Sequence, residues 1–229
     1  MNFYQTLIYN PLLNILIFFY QTISFNDLGL AIIFLTILIR ILLYPLSNKM
    51  FKTQTILQKL QPEIKIIQQK YKKDPQKQLQ ETLAIYKKYN INPFSMYFFI
   101  FIQIPILIAL YKIFSQNFEI LDFNNLYNFV SRPQNINLMF LGLINLAKPS
   151  IIIAGLAAVF QFWQIYLSFK VLKDKKHINK IALYLGPIAT FIFLYYLSSA
   201  IGLYWLTTNI ISVINQFFIN KNIEKEDKI

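Results

Sequence analysis

Residues 28–46 read LGLAIIFLTILIRILLYPL, from Leu28 to Leu46, and the reading of this run decides the rest. At 1.5 Å of rise per residue the run makes a helix of roughly 28 Å, close to the ~30 Å hydrocarbon core of a bilayer. It predicts a membrane span with one charge inside, Arg40. On that reading Arg40 lies about 9 Å from the end of the span, below the water line. A guanidinium does not shed its proton, so it requires an anionic partner, a snorkelling route or a water-filled cavity. Both snorkelling and a polar cavity stay open on this helix alone. Only two of the 22 cations are arginines, Arg40 and Arg132, so a chain that otherwise writes Lys has placed an Arg here. Thr36 stands one turn earlier on the same face, which favours a polar face turned to a cavity.

The wider composition agrees with a membrane setting. Of 229 residues, 56% are hydrophobic and only 14% charged, which fits a polytopic all-α membrane protein of one domain, residues 1–229. There is no cysteine, so disulfides, thiolate zinc sites, thiol catalysis and a lipidated cysteine are excluded. The one histidine, His177, stands in a lysine-rich loop and reads as solvated, leaving metal chemistry almost without ligands. The net charge of +12 points to nucleic acid or to anionic lipid, and the placement of the lysines separates the two.

Outward from the first span, residues 1–25 carry no charged side chain and lack both the basic start and the cleavage site of a signal peptide, so they are expected to be retained. Residues 11–25 are too short to span and predict an interfacial helix. Residues 47–92 carry ten lysines against Glu63, Asp74 and Glu81. Their spacing predicts a cytoplasmic two-helix hairpin whose seams, Leu57, Leu60, Ile64, Ile67 and Tyr71 on one helix and Leu79, Leu83 and Tyr86 on the other, face each other. Asp74 and Pro75 read as the cap and first residue of the second helix. The hairpin is expected to be a mobile unit hinged at its membrane junctions. Four more spans follow, 94–112, 150–169, 181–197 and 201–219, carrying Gln103 and Pro105, Gln161 and Gln164, Thr190, and a stripe of Tyr204, Thr208, Ser212 and Asn215 with Trp205, Asn209 and Gln216 beside it.

Orientation follows from the basic residues. With the hairpin in the cytoplasm, that side carries eighteen lysines and the other only Arg132 and Lys148. This predicts five transmembrane helices in the cytoplasmic membrane of a bacterium, the N-terminus outside and the C-terminus inside. It also assigns the basic charge to the cytoplasmic leaflet and to what approaches from the cytoplasm, a ribosome included; no nucleic-acid motif is evident.

None of the five predicted spans contains Asp, Glu or His, which argues against a proton relay or a cation-coupled transporter. The absence of a paired nucleophile and base argues against an intramembrane protease, and no enzyme activity is expected. Arg40, Thr36, Gln103, Gln161, Gln164 and Thr208 instead suit a hydrated concavity open to the cytoplasm that receives an acidic or polar peptide segment. One rival is a small-anion channel or carrier with Arg40 as its selectivity residue. Another is an assembly chaperone for membrane proteins using much the same surface.

Several stretches in combination resemble the YidC/Oxa/Alb family of membrane protein insertases: TILIRILLYPLSNK, the basic hairpin, NPFSMYFFIFIQIPILIALYKIF and SAIGLYWLTTNIISVINQFFI. The resemblance covers nearly the whole chain. It implies a five-helix bundle with a groove closed toward the outside and open to the cytoplasm and to lipid, in which Arg40 attracts the substrate's polar or acidic tail and Thr36, Gln103, Tyr204 and Trp205 contact it. It implies nascent membrane proteins, membrane lipids, the ribosome and the Sec translocon as partners, and no cofactor. With no large extracytoplasmic domain this would be the minimal form. The tail from Asn220 to Ile229 is short and charge-mixed, which argues against ribosome binding through it.

Overall fold

Asp27 sets the first long helix. In the computed structural model, which describes residues 3–92, 95–115, 123–170 and 180–226, its Oδ1 accepts from the Leu30 backbone N–H at 3.0 Å. That is an N-cap, satisfying a donor that the helix leaves free. His177, and Pro93 and Phe94 of the NPFSMYFF stretch quoted above, lie outside the described residues.

Among the described residues there are eight α-helices, in order: α1 (Asn10–Thr22), α2 (Leu28–Leu42), α3 (Tyr44–Lys70), α4 (Pro75–Lys88), α5 (Ser95–Ser115), α6 (Ile151–Lys170), α7 (Lys180–Tyr195) and α8 (Ser199–Glu226). A π turn over Gln5–Tyr9 leads into α1, so helical structure begins before residue 11, where the interfacial helix is expected to start. Between α5 and α6 a short antiparallel pair, β1 (Met139–Phe140) and β2 (Ile144–Asn145), aligns Met139 with Asn145.

The helix read through to Leu46 ends at Leu42. Leu43 leaves helical geometry (φ −88°, ψ 2°), and α3 departs at 72° with Pro45 in its first turn. Proline lacks an N–H and fits the start of a helix better than its interior, so the chain breaks there. Arg40 thus stands in the last turn of a helix of about 22 Å. Among the described residues only α6 is both long and apolar enough to cross a membrane unbroken; α2 and α3 qualify together as a bent pair, and Phe101–Phe114 and Leu183–Tyr195 are shorter apolar stretches.

The core forms where α6 packs along α7 and α8, α2 packs on α8, and α1 packs on α2. Small residues permit this closeness. Ala154 and Ala157 are buried on α6, and a Cβ at Gly202 would lie 2.8 Å from Ile153. Asn209 Nδ2 donates to the Ala157 carbonyl at 2.8 Å, locking α8 against α6. From α1, Leu13, Leu16 and Ile17 are fully buried in the same core.

The segment after α5 is stitched to the ends of three helices. The Leu141 N–H donates to Asp27 Oδ2 at 2.7 Å, so one carboxylate both caps α2 and holds the β-hairpin. Asn14 accepts from the Tyr127 N–H at 2.6 Å and donates to the Asn125 carbonyl at 3.0 Å. The Tyr20 hydroxyl accepts from the Asn137 N–H at 2.8 Å, and the Ser199 N–H donates to the Lys148 carbonyl at 2.8 Å.

The hairpin helices α3 and α4 meet differently from the predicted seams. Asp74 caps α4, accepting from the Lys77 N–H at 3.0 Å, and on α3 Leu60 and Ile64 are buried. But Leu79 and Leu83 are 60% and 46% exposed, so they do not form the inner seam of α4. Tyr86 keeps its predicted half-buried place, and Thr82 and Ile85 rather than the two leucines are half-buried with it. The base of the hairpin is also not a free hinge: Phe51 packs with Ile219 and Ile223 of α8 in an apolar cluster of its own.

Candidate functional site

Arg40 is the natural starting point, because its place in the last turn of α2 directs it toward α5 and α8. One guanidinium nitrogen, Nη2, donates to Gln103 Oε1 on α5 and to Thr208 Oγ1 on α8, each at 3.3 Å. Both acceptors are neutral. They orient the guanidinium of a residue that is only 7% exposed.

Gln103 serves two partners from one amide. Its oxygen accepts from Arg40 while its nitrogen donates to the Tyr204 hydroxyl at 2.6 Å. Tyr204 is 2% exposed, so its phenol needs such a partner. Thr208 follows Tyr204 by four residues, which puts both on one face of α8; Ser212, four further, donates to the Thr208 carbonyl at 2.8 Å. The stripe read along 201–219 therefore meets Arg40 through its first two members.

These groups border a cavity of about 220 Å³. Arg40, Gln103, Tyr204, Trp205 and Thr208 line it, and Gln161 and Gln164 of α6 complete its polar wall. Gln161 accepts from the Thr190 hydroxyl of α7 at 2.5 Å, and Gln164 donates to Gln216 Oε1 at 3.4 Å. Seven of the eight residues singled out by sequence thus share one cavity. Thr36 does not line it. It is fully buried, and its hydroxyl donates to the Ile32 carbonyl of its own helix at 2.6 Å, the usual resort of a helical threonine in apolar surroundings.

The cavity also has members that sequence reasoning did not place in it: Met50, Phe51, Leu107, Asn209 and Ser212. Asn209 and Ser212 belong to the polar side of α8 and carried a signal. Met50 and Phe51 did not, because they stand beyond the break at Leu43, in a stretch that reads as the start of the hairpin. Beneath them a buried polar cluster joins three helices: Gln216 Nε2 donates to Thr55 Oγ1 and Asn220 Oδ1, each at 2.9 Å, and Asn220 Nδ2 donates to the Leu167 carbonyl at 2.7 Å.

Such a site can solvate polar groups and offer a positive charge. Comparisons with known proteins agree in kind. A family model described as the 60Kd inner membrane protein matches residues 1–226. A protein of Clostridium tetani named membrane protein insertase YidC is 35% identical over 86% of this chain and 83% of its own length. Membrane protein insertase YidC 1 of Halalkalibacterium halodurans is 32% identical over 91% of this chain and 76% of its own. A YidC of Syntrophus aciditrophicus reaches 36% identity over 92% of this chain, which spans only 36% of that longer protein.

Proposed function

We propose how this chain, which belongs to the 60Kd inner membrane protein family, works as a membrane protein insertase. It acts in the bacterial inner membrane, on membrane proteins in a lipid setting. Nascent chains arrive from the cytoplasm, and the polar cavity around Arg40 receives the hydrophilic tail that must cross. Carrying that tail through ~30 Å of hydrocarbon is costly, and a hydrated recess shortens the low-dielectric path. Arg40 lends a transient counter-charge to acidic side chains, while Gln103, Gln161, Gln164, Tyr204 and Thr208 replace water around polar ones. The hydrophobic segment partitions sideways into lipid. That partitioning and, for acidic tails, the membrane potential supply the driving force, so neither nucleotide nor cofactor enters the scheme.

The observation that carries this reading is the buried Arg40 guanidinium held by two neutral acceptors at the edge of a polar cavity. The proposed membrane arrangement is five spans, N-terminus outside and C-terminus inside, with 11–25 interfacial and 47–92 cytoplasmic. The stitching of residues 123–149 to α1, α2 and α8 supports a recess that is blind on the outer side, unlike the continuous pore an anion channel needs. The anion-channel alternative also lacks support from the relatives, which are named insertases. Delivery by the ribosome or the Sec translocon belongs to the same proposal.

The test is insertion into liposomes containing only this protein, using matched single-span substrates whose translocated tails carry two Asp or two Asn. Arg40→Ala is expected to lower insertion of the Asp substrate about tenfold, roughly 1.4 kcal/mol, with a smaller effect on the Asn substrate, and Arg40→Lys to keep most of the activity. Equal insertion of the Asp substrate by folded wild type and Arg40→Ala would remove the electrostatic step.

A further inference from the structure

A second cavity, of about 430 Å³, lies between the N-terminal helix, α2 and α5. Ile8, Pro11, Leu38, Ile39, Ile102 and Ile106 are among its walls, and every described residue that lines it is apolar. It backs onto the polar site. Ile39 and Arg40 are neighbours on α2, as are Ile102 and Gln103 on α5; the first of each pair lines the apolar crevice and the second the polar cavity. The Arg40–Gln103 hydrogen bond at 3.3 Å is the seam between the two. Leu42 and Phe101 at its edge are 68% and 72% exposed, so the crevice opens outward.

Size decides what fits. A helix with side chains is about 10–12 Å across, so one turn fills roughly 500 Å³ and a transmembrane segment does not enter. A methylene takes slightly less than the roughly 30 Å³ of a water molecule, so about fifteen fit, the content of one fatty-acyl chain. Charge supplies the other end of the ligand. Lys112, two turns beyond Pro105 on α5, holds its ammonium 5.1 Å from the centre of the Tyr4 ring, and Tyr4 stands one turn before Ile8 on the N-terminal helix. Both apolar faces therefore run from one cation into the crevice, the order in which a phospholipid presents its phosphate and its chain.

We propose that the crevice is a phospholipid site: one acyl chain lies between α2 and α5 against the back of the Arg40–Gln103 seam, and the lipid's phosphate rests on Lys112. The proposal rests on the membrane orientation given above, and it adds a resident lipid to the insertase. The occupied crevice would keep the apolar side of the seam filled while the polar side exchanges substrate.

The experiment uses the full chain in phosphatidylcholine vesicles doped with phosphatidylglycerol that carries a photoactivatable diazirine midway along one acyl chain, with crosslinked residues mapped by mass spectrometry and no substrate present. Crosslinks to α2 and α5 residues of the crevice are expected to resist dilution by unlabelled phosphatidylcholine and to be displaced by excess unlabelled phosphatidylglycerol. Those to the exposed Ile188 and Ile192 of α7 should simply dilute with either lipid. Ile106→Trp, which fills the crevice, should lower its crosslinking at least fivefold, and Leu38→Trp provides the same test from the facing helix. Lys112→Gln should abolish the preference for phosphatidylglycerol. Crevice crosslinks that dilute in step with those of α7 in the wild-type protein would overturn the site, whatever the variants do. A preference that survives Lys112→Gln would overturn the phosphate assignment. Neither result touches the insertion assay, so failure here and failure of the insertase mechanism are read separately.

Discussion

Gln103 and Tyr204, 101 residues apart in sequence, are joined by an amide-to-hydroxyl hydrogen bond of 2.6 Å that ties α5 to α8 at the edge of the cavity. Because the same amide accepts from Arg40, removing either partner disturbs how the cation is held. Tyr204→Phe leaves a half-buried amide N–H unmatched and is expected to cost about 1 kcal/mol, whereas Gln103→Leu in addition removes an acceptor from Arg40. In a double-mutant cycle read by thermal unfolding in detergent, a coupling of about 1 kcal/mol is expected. Strict additivity would show that the two side chains act independently.

The orientation is tested by labelling. Cysteines introduced singly at Lys77 and Asn135 into this cysteine-free chain should react with a membrane-impermeant maleimide from opposite sides of sealed vesicles. Reaction of both from one side would overturn the proposed five-span arrangement and, with it, the cytoplasm-facing cavity.

The base of the hairpin should be held by Gln216. Thr55→Val keeps the shape of the side chain and deletes the oxygen that accepts from Gln216 Nε2, leaving a buried donor at a cost of about 1–3 kcal/mol. Amide exchange over Phe51–Leu60 should accelerate while that of α6 stays unchanged. Uniform exchange in both would mean that Phe51, Ile219 and Ile223 suffice to fix α3.

Gly29 is needed for space. A Cβ there would overlap the Phe140 ring, so Gly29→Ala must push the β-hairpin away from the start of α2 and strain the bond from Leu141 to Asp27. Overpacking of this kind costs about 1–3 kcal/mol, visible as a lower unfolding temperature. An unchanged unfolding temperature would show that the Phe140 ring moves aside freely.

How much of this could be read beforehand differs by residue. Asp74 before Pro75 announces a helix start, and the structure has it, because capping is a local matter of one side chain and the next three residues. Gln103, Gln161, Gln164, Tyr204 and Thr208 stand out as amides and hydroxyls among aliphatics, and they meet because polar side chains in apolar helices find one another. Thr36 shares Arg40's face yet bonds to its own backbone, an outcome that helical periodicity does not distinguish from a cavity position. The break at Leu43 escaped a pattern whose apolar residues continue to Leu46, since Pro45 is compatible both with a kinked span and with a new helix. Leu79 and Leu83 recur at helical spacing, but burial needs a facing surface, and it falls to Thr82 and Ile85 beside the expected Tyr86.

The 72° turn at Leu43 gives the chain the geometry of a crank. The long arm, α3, extends about 40 Å from the pivot, and the short arm holds Arg40 less than one turn away, about 5 Å. A tilt of roughly 10° that carries the far end of the hairpin through about 7 Å moves a group at Arg40's distance by less than 1 Å. Phe51, seated on Ile219 and Ile223 a short way past the pivot, shortens the free part of the long arm further, so jostling at the hairpin tip reaches the guanidinium strongly reduced.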